Sequence, residues 1–198
     1  GDGGTNTEED TPVSVSLGNG RTAVAVSAGY SRTCAILDDG SLKCWGADYY
    51  GQLGDGGTNT EQDTPVSVSL GTGRTAVAVS AGQQHTCAIL DDGSLNCWGR
   101  DDRGQLGDDG TYTDKNTPVS VSLGTGRTAV AIDAGGDHTC AILDDGSLKC
   151  WGKDGNGQLG DGQQALSQPT PVSVSLGTGR TAVAISAGGF HTCAILDD

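Results

Sequence analysis

Three kinds of residue in this 198-residue chain could do chemistry beyond packing: seven cysteines, three histidines and 25 carboxylates. The cysteines fall as Cys34/Cys44, Cys87/Cys97 and Cys140/Cys150, each pair ten apart, with Cys193 left over. Zinc sites ordinarily show short C-x-x-C spacing with more Cys or His nearby. A ten-residue gap repeated three times fits facing strands of a hairpin instead, so disulfides are expected and Cys193 is expected unpaired. His85, His138 and His191 each precede Thr-Cys, but Arg32 holds that place in the first repeat. A strict imidazole is therefore not required there. The rings are read as packed groups that donate to a neighbouring backbone.

The carboxylates divide in two. The opening stretch GDGGTNTEED holds Asp2, Glu8, Glu9 and Asp10, whose oxygens suit Ca2+. DxDxDG spacing is absent, and the fourth repeat loses most of these acids, so the stretch is read as solvated, with weak Ca2+ binding left open. The Asp-Asp-Gly triplets, such as Asp38-Asp39-Gly40, recur identically and fit turn chemistry better than acid–base catalysis. No GxSxG, HExxH or P-loop occurs. No acid, base and nucleophile come together, so no enzyme, cofactor or metal site is expected.

These residues are positioned by a repeat. Cys34, Cys87, Cys140 and Cys193 lie 53 apart, as do Thr11, Thr64, Thr117 and Thr170 of the Thr-Pro pairs. One array is expected, with units 1–53, 54–106, 107–159 and an incomplete 160–198. Within unit one, TPVSVSL (11–17) and TAVAVSAG (22–29) alternate with period two, as half-buried strands do. TCAILD (33–38) is apolar or small on both faces and reads as a fully buried strand; SLKCW (41–45) is the fourth. A three-residue Asp-Asp-Gly loop with glycine in the left-handed position sets Ile36 opposite Leu42 and Cys34 opposite Cys44. Trp45, Trp98 and Trp151 recur at one offset and read as packing between units. Four short strands per unit with no helical period predict an all-β fold of propeller blades.

Net charge is −14. That disfavours nucleic acid and anionic membranes, both of which require basic residues. No apolar run approaches the roughly 20 residues of a spanning helix, so membrane insertion is not expected. The chain has no Met and breaks off after Asp197-Asp198, inside a predicted turn. It is read as a mature product, a fragment or part of something longer, with its end taken as an imposed boundary.

The repeats differ mainly in three loops: residues 3–10, 30–32 and 47–50, with their equivalents. The side chains there that suit an interface are Tyr30, Ser31, Arg32, Tyr49, Tyr50, Gln83, Gln84, Arg100, Asp102, Arg103, Tyr112, Asp137, Lys153, Asn156 and Phe190. Drift of exposed loops after duplication is the competing explanation.

The pattern SAGxxHTCAILDDGSLKCWGxxxxGQLGDG resembles the repeat of the regulator of chromosome condensation family. The matching pieces are Ala81-Gly82, His85-Thr86-Cys87-Ala88, Asp92-Gly93, Trp98-Gly99 and Gly104-Gln105-Leu106-Gly107. The resemblance implies four-stranded blades, commonly seven to a ring. Members include a nuclear exchange factor, a bacterial inhibitor of β-lactamases and secreted arrays; the Cys-containing variant is most like the last. The expected function is a non-enzymatic binding or scaffold propeller, extracellular or at the cell surface. It would present its variable loops to a protein, in preference to a glycan. Alternatives are a subunit of a self-assembling fibre or sheath, and an enzyme-inhibitor-like propeller. Two chains could also close a homodimeric ring of about eight blades.

Overall fold

The computed structural model describes residues 3, 10–110, 112–163 and 165–198, and every regular element among them is a strand. The first sheet contains β1 (Ala23–Ala28), β2 (Arg32–Leu37), β3 (Leu42–Gly46) and β4 (Gln62–Ser67). The second holds β5 (Ala76–Ala81), β6 (His85–Leu90), β7 (Leu95–Gly99) and β8 (Lys115–Ser120). The third holds β9 (Ala129–Ala134), β10 (His138–Leu143), β11 (Leu148–Lys153) and β12 (Ser167–Ser173). A final pair, β13 (Ala182–Ala187) and β14 (Thr192–Leu196), begins a fourth. All neighbours are antiparallel and in sequence order. These are propeller blades, with β1, β5, β9 and β13 side by side along the inner edge.

The hairpin register is the expected one. Ile36 pairs with Leu42 and Cys34 with Cys44, while Gly40 takes φ +76°. Glycine is needed there twice over: a Cβ would also sit 2.5 Å from Cβ of Thr75 in the next blade. Disulfides join Cys34–Cys44, Cys87–Cys97 and Cys140–Cys150, and Cys193 is free and exposed.

The Thr-Pro strand behaves differently from its reading. Its latter-repeat versions, β4, β8 and β12, pair with the last strand of the preceding repeat. Each blade is thus stitched from two consecutive 53-residue units. Residues 11–17 have no such edge to pair with in this chain and form no strand.

Cores lie between blades. One cluster joins Cys34, Ile36, Leu42 and Leu53 to Ala88, Leu90 and Trp98 of the next sheet. The same positions meet one repeat later, with Ile89, Leu95 and Leu106 against Ala141, Leu143 and Trp151. β6 and β10 are buried along their whole length, as the double-sided apolar pattern requires. A buried Leu or Ile contributes about 1.5–3 kcal/mol, so each interface is stabilised mainly by its neighbour blade.

Candidate functional site

The antiparallel topology puts two turns of every blade at one end: the turn after the first strand and the loop after the Trp-Gly. The other end is nearly uniform, with Asn19 in the first repeat where the later ones have Thr72, Thr125 and Thr178. There Arg21, Arg74 and Arg127 bridge the Asp-Asp-Gly turns in the same way each time, with Arg Nη2 about 2.6–2.7 Å from Asp39, Asp92 and Asp145.

Beneath the variable end runs a buried relay between blades. His85 Nε2 lies 2.8 Å from Thr139 Oγ1 of the next blade, and that hydroxyl donates to the Gln105 carbonyl at 2.8 Å. The hydroxyl has one proton to give, so His85 must donate from Nε2, which fixes its tautomer. Its Nδ1 is buried without a partner. Burial holds the imidazole far below its ordinary pKa, at about 3, so it stays neutral. His138, Thr192 and Gln158 repeat the arrangement. The Gln52 and Gln105 carbonyls also accept from the buried indoles of Trp98 and Trp151.

Arg32 belongs to this relay and not to the variable surface. It is 4% exposed. Its Nε donates to Thr86 Oγ1 at 2.8 Å, as the histidines do, and its other nitrogens reach the carbonyls of Gly82, Gln83 and His85. Burial lowers its pKa to about 9, opposed by Asp48, which leaves it cationic at neutral pH.

The remaining variable side chains occupy the surface above, and several touch across blade boundaries. The Arg100 guanidinium lies 5.3 Å from the Tyr50 ring centre in the blade before it. It donates to Gln84 at 2.5 Å and to Asp102 at 2.6 Å, and comes within 4.0 Å of Asp137 in the blade after it. Asp137 also pairs with Lys153 at 3.4 Å, and Lys153 Nζ lies 5.2 Å from the Phe190 ring centre in the fourth blade. Asp102 and Asp137 hold the Arg100 charge more firmly than burial loosens it, so its pKa rises. Tyr50, Gln84, Arg100, Asp102, Asp137, Lys153 and Phe190 are therefore one ladder spanning four repeats.

Arg103 lies 3.9 Å from Asp102 at the ladder's edge. Tyr49 is exposed beside Tyr50, and Ser31 is exposed with its carbonyl taken by the Ala47 amide. Asn156 lines a separate hollow with Asp154, Gln163 and Leu166. Tyr112, at φ +47°, lies on the loop before β8, the outer strand of its blade. Of the acidic opening stretch, Asp2, Glu8 and Glu9 fall outside the described residues. No group of three metal-ligating side chains occurs among the described residues.

The ends of the first strands line a wide, shallow hollow of about 570 Å3. Ser27, Ser80, Asp133 and the Ala-Gly steps form its wall, and Tyr30, Gln83 and Phe190 stand at its mouth. Asp133 escaped the sequence reading. Its signal was present, since Ser27, Ser80 and Ser186 hold the same place in the other repeats.

A model of the regulator of chromosome condensation (RCC1) repeat matches residues 39–89, 92–142 and 145–195, and a second model of that repeat matches 23–52, 76–105 and 129–158. The ultraviolet-B receptor UVR8 of Arabidopsis thaliana is 34% identical over 87% of this chain. This chain spans 38% of that receptor's length and smaller shares of the next curated relatives. Yeast RCC1 (Prp20), solved bound to Kap60, superposes with TM-score 0.78 at 22% identity, over 90% of this chain and 41% of that one. The ectodomain of the receptor kinase CR4 from Physcomitrella patens gives 0.56 at 20%, over 89% and 39%. With its blades, its interblade cores and three matched repeats, this chain belongs to the regulator of chromosome condensation (RCC1) repeat family.

Proposed function

We propose that this chain is a non-enzymatic binding propeller that presents the variable end of its blades to a protein partner outside the cell. The observation behind this reading is the Arg100–Asp137–Lys153–Phe190 ladder. The scaffold is nearly identical from repeat to repeat, yet the residues that differ interlock across it. Drift in separate loops would not by itself produce such contacts. Aromatic and Arg side chains, held in place by neighbours, are the types that dominate protein interfaces. Yeast RCC1 is itself bound through protein contacts, by Kap60. Three disulfides suit an oxidising compartment, and the related receptor-kinase fold is an ectodomain.

The test is site-specific photo-crosslinking on the producing cell. A photoreactive phenylalanine at Tyr49 is expected to give a discrete adduct, and the same group at Thr72, in the uniform Gly-Thr-Gly turn, is expected to give none. Equal adducts from both ends, or none from Tyr49, would count against the reading. Self-association is a second reading, supported by exposed Val26 and Ile195, whose counterparts Val79, Ile36, Ile89 and Ile142 pack between blades. The native mass of the non-reduced chain distinguishes a homodimer from a single array.

A further inference from the structure

We propose that the axial hollow receives the ammonium group of a lysine side chain from the partner, with Asp133 as its counter-charge. The proposal rests on the binding reading above and specifies the chemistry at its centre.

Three observations lead to it. First, Asp133 is the one charged residue among those lining the hollow, whose other members are small, polar or aromatic. Second, its carboxylate is held but not neutralised. Oδ1 accepts from the Ser80 hydroxyl at 3.1 Å and Oδ2 from the Ala187 amide at 2.7 Å. Among the described residues no Lys, Arg or His comes within ion-pair distance of it. Lys153 and Arg100 are both committed to Asp137, and Arg100 to Asp102 as well. Each carboxylate oxygen keeps a further lone pair for a donor. Third, the mouth is flanked by the ring of Tyr30, 78% exposed, while the Phe190 ring beside it already faces the Lys153 ammonium on one side. Aromatic faces attract a cation and pack against an aliphatic stem.

The serine repeats show that the fold does not need the charge. Ser27 Oγ accepts from the Ala81 amide at 3.0 Å, and Ser80 Oγ from the Ala134 amide at 3.0 Å. The Asp133–Ala187 bond is the same interblade bond made with a carboxylate. Serine would satisfy that amide equally, and the added bond from the Ser80 hydroxyl needs an acceptor but no net charge, so the charge itself is left for a ligand. A lysine fits better than arginine because the anchored carboxylate offers two separate lone pairs to a point charge, not a free fork for bidentate pairing.

The experiment is an amide NMR titration of the oxidised chain with the blocked tripeptides acetyl-Gly-Lys-Gly-amide and acetyl-Gly-norleucine-Gly-amide. The lysine peptide is expected to shift Gly135, Ala187 and Gly188 saturably, and the norleucine peptide to leave them unmoved. In Asp133→Ser the lysine affinity is expected to fall at least fivefold, with the spectrum otherwise native. No shift with lysine, equal shifts with norleucine, or unchanged binding in Asp133→Ser would overturn the proposal. Equal affinity for n-butylammonium would overturn its assignment to a partner side chain and point to small amines. Crosslinking at Tyr49 is independent of Asp133, so failure here leaves the broader binding reading standing, and its failure would be seen separately.

Discussion

Removing one hydroxyl should reveal how much of the array's stability lies in the relay between blades. In Thr139→Val the side chain keeps its shape, so packing is nearly unchanged. The Gln105 carbonyl keeps the Trp151 indole as donor at 2.9 Å. His85 Nε2–H does not keep a partner, and His85 and Thr139 are fully buried. One lost hydrogen bond is worth about 1 kcal/mol, and an orphaned buried donor costs about 1–3 kcal/mol more. The expected loss is about 2–4 kcal/mol. With a urea m-value of about 3 kcal/mol per M, the midpoint falls by about 1 M. The assay is urea unfolding of the non-reduced chain followed by tryptophan fluorescence. Thr33→Val is the control, because that hydroxyl has no hydrogen-bond partner among the described residues, and the change should alter stability by no more than about 0.5 kcal/mol. Equal midpoints for the two variants would refute the reasoning.

Gly135→Ala should destabilise by about 1–3 kcal/mol in the same assay, because the new Cβ would lie 2.5 Å from the Gly188 carbonyl of the next blade and 2.5 Å from Cε1 of the buried His138 ring. Arg100→Ala and Lys153→Ala should each change stability by less than about 1 kcal/mol, since their pairs are solvent-accessible; a larger loss would make the ladder a scaffold element. Between pH 4 and 6 two titrations should cancel. His85 and His138, pulled down by burial to about 3 and 4, lose stability as pH falls below the unfolded value of about 6.5, whereas Asp48 and Asp101, pushed up by burial to about 6, lose it as pH rises from about 4. Each contributes about 1.4 kcal/mol per pH unit, so the double variant Asp48→Asn/Asp101→Asn should become acid-sensitive by about 2–3 kcal/mol per unit in urea midpoints measured across that range, where the parent stays nearly flat.

The parts of the fold that depend on near neighbours in sequence were readable from sequence. Strand period, the left-handed glycine of the Asp-Asp-Gly turn and the ten-residue cysteine spacing all act within one hairpin, and together they fix the register of β2 on β3. Sequence alone puts the Thr-Pro strand in its own unit, because its alternation says only that one face is buried, not which edge it joins. Its partner lies in the preceding repeat, across the long loop after the Trp-Gly. Arg32 misleads for a related reason. It varies against histidine and precedes a strand, which reads as surface drift, whereas the structure shows the same donor geometry reached by a longer side chain.

The cross-repeat contacts also explain what the array allows to change. A residue such as His85 faces Thr139, 54 positions later, and Asp133 faces Ala187 at the same distance. Because both members of each contact are copies of one unit, a change at a relay position alters a donor in one interface while its unaltered acceptor remains. Arg32 is tolerated because its Nε supplies the same bond to Thr86, and its remaining nitrogens find carbonyls that the next blade already exposes. Asp133 is tolerated because a carboxylate accepts the bond a serine would. The ladder residues face no such condition, since their partners are other variable side chains. Change therefore collects at the open end of the blades and along the axis, the two places where this scaffold can acquire specificity without losing a bond between its blades.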